Sequence, residues 1–347
     1  MKILIRGTNW IGDAVMTIPA LRELNRVFAD SHLTLYTRPW AEGIFRDADF
    51  VDEILTFEKK KKHSLRELRE EADLLRREKF DLAILLTNSF ESALVTNLAR
   101  IPRRIGFNKD LRGLLLTDPI AVPEWKGRNH EVYYYLALAA ETERRVLGRE
   151  TIPNGEPDIR LNVSGERSHQ ARKYLDAARV NFVKPIIALG VGSTNSRAKR
   201  WPADRFAALS DRLQNEIQAN VLIVGSPDET DIAAAVANAA SRPIIDLSGK
   251  TSLAEVTAIL SVCDLFISND MGLAHVAAAT GTETIVIFGP TNDVTTRPFG
   301  NNTSVVRHDV ECSPCMLRDC PIDHRCMTRI SVNDIFETAV SRLNPTS

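Results

Sequence analysis

The chain's 347 residues carry 44 Lys and Arg against 45 Asp and Glu, so there is no global positive field of the kind nucleic-acid binding needs, and any anion site must be local. Ordinary apolar (44%) and charged (26%) fractions exclude a disordered chain, and the length exceeds what one hydrophobic core serves, so two domains are expected. The apolar stretch at residues 1–6 is too short for a signal peptide, no later run reaches about 18 apolar residues, and a cytoplasmic protein is expected.

Short Val/Ile/Leu-rich runs alternate with longer helical patterns, twice over. Strands are predicted at Lys2–Arg6, Leu33–Tyr36 and Asp81–Leu86, with helices such as Ile18–Phe28 and Leu65–Lys79 between them. The rhythm returns at Pro185–Leu189, Asn220–Val224, Pro243–Asp246, Leu265–Ser268 and Thr284–Phe288. Near-continuous apolar strands imply parallel sheets covered on both faces. Between the two series, Gly148–Glu166 holds Pro153, Asn154, Gly155, Pro157 and Gly165 without periodicity, the mark of a linker. The expectation is an α/β chain of two Rossmann-like lobes, residues 1–160 and 161–331, with parallel sheets facing across a cleft and a last helix within 332–347.

Chemistry-bearing residues fall just after these strands. Behind the first strand comes Gly7-Thr8-Asn9-Trp10-Ile11-Gly12-Asp13, a glycine-containing loop ending in an acid at a helix start. Asp13 reads either as a helix cap or, at a strand's carboxyl end, as a general base toward a sugar hydroxyl. The loop Gly190-Val191-Gly192-Ser193-Thr194, continuing to Lys199-Arg200-Trp201-Pro202, lacks the third glycine of a dinucleotide fingerprint and has no phosphate-loop Lys-Ser/Thr pair. What remains is a hydroxylic loop with Lys199 able to reach a leaving diphosphate, or else a solvated basic loop. Gly225-Ser226-Pro227-Asp228-Glu229 places acids beyond another strand, where Glu229 can accept ribose hydroxyls while Asp228 reads as helix-start charge. Ser268-Asn269-Asp270-Met271-Gly272-Leu273-Ala274-His275 leaves a strand and opens a small-residue helix. The backbone amides of Met271 to Leu273 there invite a phosphate, and Asp270 beside them is suited to hydroxyl groups, a pairing that suggests a nucleotide sugar.

These pieces, with Asn88-Ser89-Phe90, Lys199-Arg200-Trp201-Pro202, Asn269-Asp270-x-Gly272-Leu273-x-His275 and Phe288-Gly289-Pro290-Thr291, resemble the bacterial ADP-heptose:lipopolysaccharide heptosyltransferases of glycosyltransferase family 9. Within that family the Asn9-Trp10 opening and the Asn-Ser-Phe segment are more similar to the heptosyltransferase II type. The resemblance implies a GT-B fold, an N-terminal acceptor lobe and a C-terminal ADP-sugar lobe. It also implies inverting, metal-independent transfer of L-glycero-D-manno-heptose from ADP-heptose to the first inner-core heptose on Kdo2-lipid A. By the same resemblance Asp13 is the base, Lys199 meets the donor phosphates and Glu229 holds the ribose, while the hydroxyl side chains of Ser193 and Thr194 are expected, from their residue type, to help stabilise the leaving diphosphate. Asp270 contacts the donor heptose, Gly272 and Leu273 meet the diphosphate through their amides, and His275 matches the motif. The last helix is expected to pack back on the first lobe, as GT-B chains tend to do.

A lipid acceptor bearing acidic groups predicts basic side chains on the first lobe. Candidates are Lys59 to Lys62, Arg103, Arg104, Lys109, Arg112, Lys126 and Arg128, with Asn9, Trp10, Asn88, Arg104 and Arg112 as acceptor contacts and peripheral association with the cytoplasmic face of the inner membrane. Cys312, Cys315, Cys320 and Cys326 fall as C-x2-C-x4-C-x5-C with His308 and His324 near, which suggests structural zinc, with free thiols or a disulfide as alternatives. Cys263 reads as core. Two rival functions stand beside this one: another GT-B transferase or sugar-nucleotide epimerase using a UDP-sugar, and a nucleotide-sugar binding module without turnover.

Overall fold

The computed structural model describes residues 1–58, 64–153, 155–194 and 196–344, so the Lys59 to Lys62 run lies outside the described residues. The chain divides into two units, Met1–Ile159 and Arg160–Ser347, within one residue of the expected boundary and inside the proline- and glycine-bearing linker.

In the first unit six strands are β1 (Lys2–Arg6), β2 (His32–Thr37), β3 (Glu53–Thr56), β4 (Leu82–Leu85), β5 (Arg103–Phe107) and β6 (Asp118–Ile120). They form one sheet in the order β3-β2-β1-β4-β5-β6, every pair parallel. In the second unit β7 (Ile186–Gly190), β8 (Asn220–Ile223), β9 (Ile245–Asp246), β10 (Leu265–Asn269), β11 (Glu283–Phe288) and β12 (Thr303–Arg307) form a parallel sheet in the order β12-β11-β10-β7-β8-β9. Both are doubly wound sheets whose strand order reverses once, between β1 and β4 and between β7 and β10. Ligands of such sheets bind outside the carboxyl ends of the strands at that reversal.

The apolar runs become the central strands because both faces are covered: every residue of β10 and of β4 is buried. Leu4, Tyr36, Phe57, Leu68, Leu75 and Leu85 belong to a core of the first unit. Helix starts follow the local chemistry, with Ser64 and Glu67, and Ser252 and Glu255, forming reciprocal caps. Gly148, at φ 64°, ends the helix Glu131–Leu147 in the left-handed conformation that glycine adopts without cost.

The last helix, Val332–Leu343, contributes to the core of the second unit. Its Ile335, Phe336 and Ala339 enter the second unit's core with Leu213, Phe206 and Trp201, and Arg212 stacks on Phe336 with its guanidinium 3.7 Å from the ring centre. These residues of its apolar stripe are satisfied within its own unit.

Candidate active site

In the second unit, the loops after β7 and β10 meet at the strand-order reversal. Asn269, the last residue of β10 and fully buried, ties them: its Nδ2 donates to the carbonyls of Val191 (2.8 Å) and Gly192 (3.2 Å), while its Oδ1 accepts from the Trp201 amide at 2.9 Å. Asp270 follows, buried, its Oδ2 accepting from Thr291 Oγ1 at 2.7 Å and lying 2.7 Å from Lys199 Nζ. The helix Gly272–Ala279 then opens with Met271 at its N-cap, and His275 is buried one turn in. Motif and periodicity single out neither Asn269 nor Thr291 as partners, because each acts through residues far away in sequence.

Glu229 is buried too. Its Oε2 accepts from the amide (2.8 Å) and hydroxyl (3.0 Å) of Ser226, and Thr194 Oγ1 reaches its Oε1 at 3.5 Å. Gly192 permits this approach, since a methyl group there would fall on the Glu229 carboxylate. Asp228 is exposed at the start of the turn. Ser193 is buried, its carbonyl accepting from Arg200 Nη2 at 3.1 Å. Arg200 Nε and Ser268 Oγ are buried without a partner among the described residues, so hydrogen-bonding capacity remains beside this cluster.

In the first unit the loops after β1 and β4 occupy the equivalent reversal. Asp13 is the third residue of the helix Ile11–Met16, whose N-cap is Trp10; the acid therefore sits in the first turn and is not the capping residue. The Tyr135 hydroxyl donates to Asp13 Oδ1 at 3.5 Å, and burial, followed by the Asp13 charge, drives the Tyr135 phenol well above its usual pKa. Tyr135 thus stays a protonated donor to the carboxylate. Asn9 and Trp10 remain with Asp13 on one loop, Trp10 being 57% exposed. Thr8 Oγ1, Asn9 Oδ1 and Arg38 Nη1, at the carboxyl ends of β1 and β2, are buried without partners among the described residues. Thr8 lies within the loop motif that the sequence marks, whereas Arg38 lies in none.

The other acceptor candidates do structural duty. Arg112 is fully buried and donates to the carbonyls of Phe107 (2.8 Å) and Thr87 and to Asn88 Oδ1 (3.0 Å), while Asn88 Nδ2 donates to Tyr134 Oη at 3.0 Å. Burial pulls the Arg112 guanidinium down to about 10, still charged at neutral pH. It offers no surface to a ligand, and its role is to fix the loops after β4 and β5. Arg104 engages the carbonyls of Leu115 (2.8 Å) and Ile101, Arg103 pairs with Asp118 at 3.0 Å, and Lys126 pairs with Glu131.

Cys312, Cys315, Cys320 and Cys326 line one pocket with His324, and all are free thiols. Burial and then the neighbouring thiols raise Cys326. Cys326 is buried, Cys320 partly buried, and Cys312 and Cys315 exposed. What the segment does is brace the donor loops. Ser313 Oγ donates to the Gly289 carbonyl (2.5 Å), the Met316 amide to that of Pro290 (2.8 Å), and the Ala198 amide to that of Arg318 (2.9 Å), with His324 Nε2 2.6 Å from the Ala198 carbonyl. Cys263 is buried as expected, its Sγ donating to the Ile259 carbonyl.

Comparison with known proteins agrees with this layout. The family model described as glycosyltransferase family 9 (heptosyltransferase) matches residues 69–325. Lipopolysaccharide heptosyltransferase 2 of Escherichia coli K12 is 29% identical, with 88% of each chain covered. Lipooligosaccharide heptosyltransferase 2 of Campylobacter jejuni serotype O:2 is 27% identical over 99% of this chain and 98% of that one. The solved structure of E. coli ADP-heptose lps heptosyltransferase II superposes with a TM-score of 0.84 at 25% identity, covering 99% of this chain and 98% of that one. Fold, loop chemistry and a family match over most of its length agree: the chain belongs to glycosyltransferase family 9, the heptosyltransferases, and is a glycosyltransferase of GT-B fold.

Proposed function

We propose that the chain transfers L-glycero-D-manno-heptose from ADP-heptose to the first inner-core heptose of a lipopolysaccharide precursor, with inversion and without a catalytic metal. The observation carrying this reading is the Lys199–Asp270–Thr291 cluster at the mouth of the helix Gly272–Ala279, beside buried Glu229. Lys199 and the helix N-terminus, through the amides of Met271, Gly272 and Leu273, supply the positive end that a departing diphosphate needs, and Ser193 and Thr194 add hydroxyl donors. Glu229 offers carboxylate lone pairs to ribose hydroxyls, Asp270 to those of the heptose, and His275 holds the helix's first turns in the core.

On the acceptor side, Asp13 takes the proton of the attacking hydroxyl as that oxygen bonds to the anomeric carbon and the C–O bond to ADP breaks, its electrons leaving on the diphosphate. One displacement requires one base and inverts the configuration. Asn9, Trp10, Thr8 and Arg38 would receive the acceptor sugar, the last two through their unpartnered groups. Neither nucleic acid nor a zinc-dependent step enters this scheme.

Donor choice tests the reading. Supplied with heptosyl-Kdo2-lipid A, the protein should consume ADP-heptose and release ADP while leaving UDP-sugars intact. Consumption of a UDP-sugar instead would favour the UDP-dependent transferase or epimerase, and binding of ADP-heptose without turnover would favour a binding module.

A further inference from the structure

The segment after β12 has no task in the proposed reaction, yet it closes on the turn that carries Lys199. That turn is slight. Arg197–Lys199 forms one 3-10 turn, in which the Lys199 amide donates to the Ser196 carbonyl (3.3 Å) and the Arg200 amide to that of Arg197 (3.0 Å). Bonds of this geometry hold a short turn only weakly.

The segment supplies what the turn lacks. Ala198, 3% exposed, gives its amide to the Arg318 carbonyl at 2.9 Å, and its own carbonyl lies 2.6 Å from His324 Nε2. A carbonyl oxygen can only accept, so Nε2 carries the proton of that bond. Both backbone groups of the residue before Lys199 are thus held by one stretch of chain, and Ser196 Oγ adds a bond to the Arg318 carbonyl at 3.2 Å. Beyond Lys199, the Trp201 amide is fixed by Asn269. Lys199 therefore leaves a backbone pinned on both sides, and its Nζ reaches Asp270 Oδ2 at 2.7 Å. A lysine is a point charge on a flexible stem, so where its ammonium dwells depends on where its backbone is held.

Arg318 acts through its backbone, which most residues could supply, whereas His324 acts through its side chain. Its own backbone is firmly set. It takes φ 56°, a left-handed conformation disfavoured for a residue with a β-carbon, and its carbonyl accepts from the Met327 and Thr328 amides, each at 3.0 Å.

We propose that His324 is a positioning residue for Lys199, holding the Ala198 carbonyl so that the ammonium meets the diphosphate of the nucleotide sugar at the mouth of the helix Gly272–Ala279. The diphosphate half of this statement rests on the function proposed above; the hold on Lys199 does not. The test compares the full wild-type chain with His324→Leu and His324→Ala, which remove the donated bond with and without the bulk, and with His324→Gln, whose side-chain amide can restore it. ADP binding is read by calorimetry, and the freedom of Lys199 by its rate of acetylation relative to Lys250. His324→Leu and His324→Ala should bind ADP about tenfold more weakly, and His324→Gln within about threefold of wild type. Lys199 should be acetylated several times faster in the first two variants and at the wild-type rate in the third. Wild-type ADP affinity together with wild-type labelling in His324→Leu and His324→Ala overturns the proposal. So does a His324→Gln protein as impaired as those two, which would make the packing of the imidazole, and not its donated bond, the contribution. Lys199→Ala separates the two halves. If that variant binds ADP as tightly as wild type, or if wild type binds none, the functional reading fails while the labelling comparison still decides whether His324 holds Lys199.

Discussion

Gly192 shows how the lack of one methyl group shapes the candidate site of the second unit. Its Cβ position is filled by the Glu229 carboxylate, so the loop after β7 can lie against the turn after β8 only with glycine there. Gly192→Ala should push Glu229 off the Ser226 amide and hydroxyl, and charge-assisted bonds of this kind are worth about 1.5–3 kcal/mol each. Measured by steady-state kinetics, the donor KM should rise about tenfold or more with a smaller change in kcat. A donor KM within twofold of wild type would remove Glu229 from nucleotide recognition. Asp13 belongs to the same scale: it sits in the first turn rather than at the cap, and its carboxylate accepts from the Tyr135 hydroxyl.

Elements join these residues through less visible contacts. Glu143, on the helix Glu131–Leu147, holds the start of the linker: its carboxylate accepts from the Thr151 amide (2.8 Å) and hydroxyl (2.6 Å) and from the Ile152 amide (3.1 Å). Burial alone would raise its pKa, but those donors outweigh it and the net shift is downward. A carboxylate with a folded pKa below its unfolded value stabilises fully above the unfolded value, about 4.3, and loses that contribution as pH falls through the folded one. Thermal melts should therefore show wild type losing stability below about pH 4 more steeply than Glu143→Gln, with the variant the less stable at pH 7. Parallel slopes would mean the tether contributes nothing.

The central strands were legible because both faces are apolar. β3, β5, β6 and β12 were not, being short or polar: Arg103 and Arg104 lie in β5 although their charge alone reads as loop or ligand contact. The site was legible where chemistry clusters in sequence, as at Asp270 to His275. It was hidden where a group stands outside every motif, as with Arg38 in the loop after β2.

At the scale of the whole molecule, two doubly wound sheets each place their functional loops at the point where strand order reverses. The first unit places there the Asp13 carboxylate and the buried polar groups of Thr8, Asn9 and Arg38. The second contributes an ammonium, a helix N-terminus and a buried acid suited to a nucleotide diphosphate sugar. No helix among the described residues is long and apolar enough to cross a membrane. The most direct test is heptose transfer from ADP-heptose to heptosyl-Kdo2-lipid A in the presence of EDTA, wild type against Asp13→Asn. Product from wild type, with a rate about 10²–10⁴-fold lower for the variant, is the predicted result. Full activity in Asp13→Asn, or wild-type transfer abolished by the chelator, would contradict a metal-independent displacement driven by Asp13.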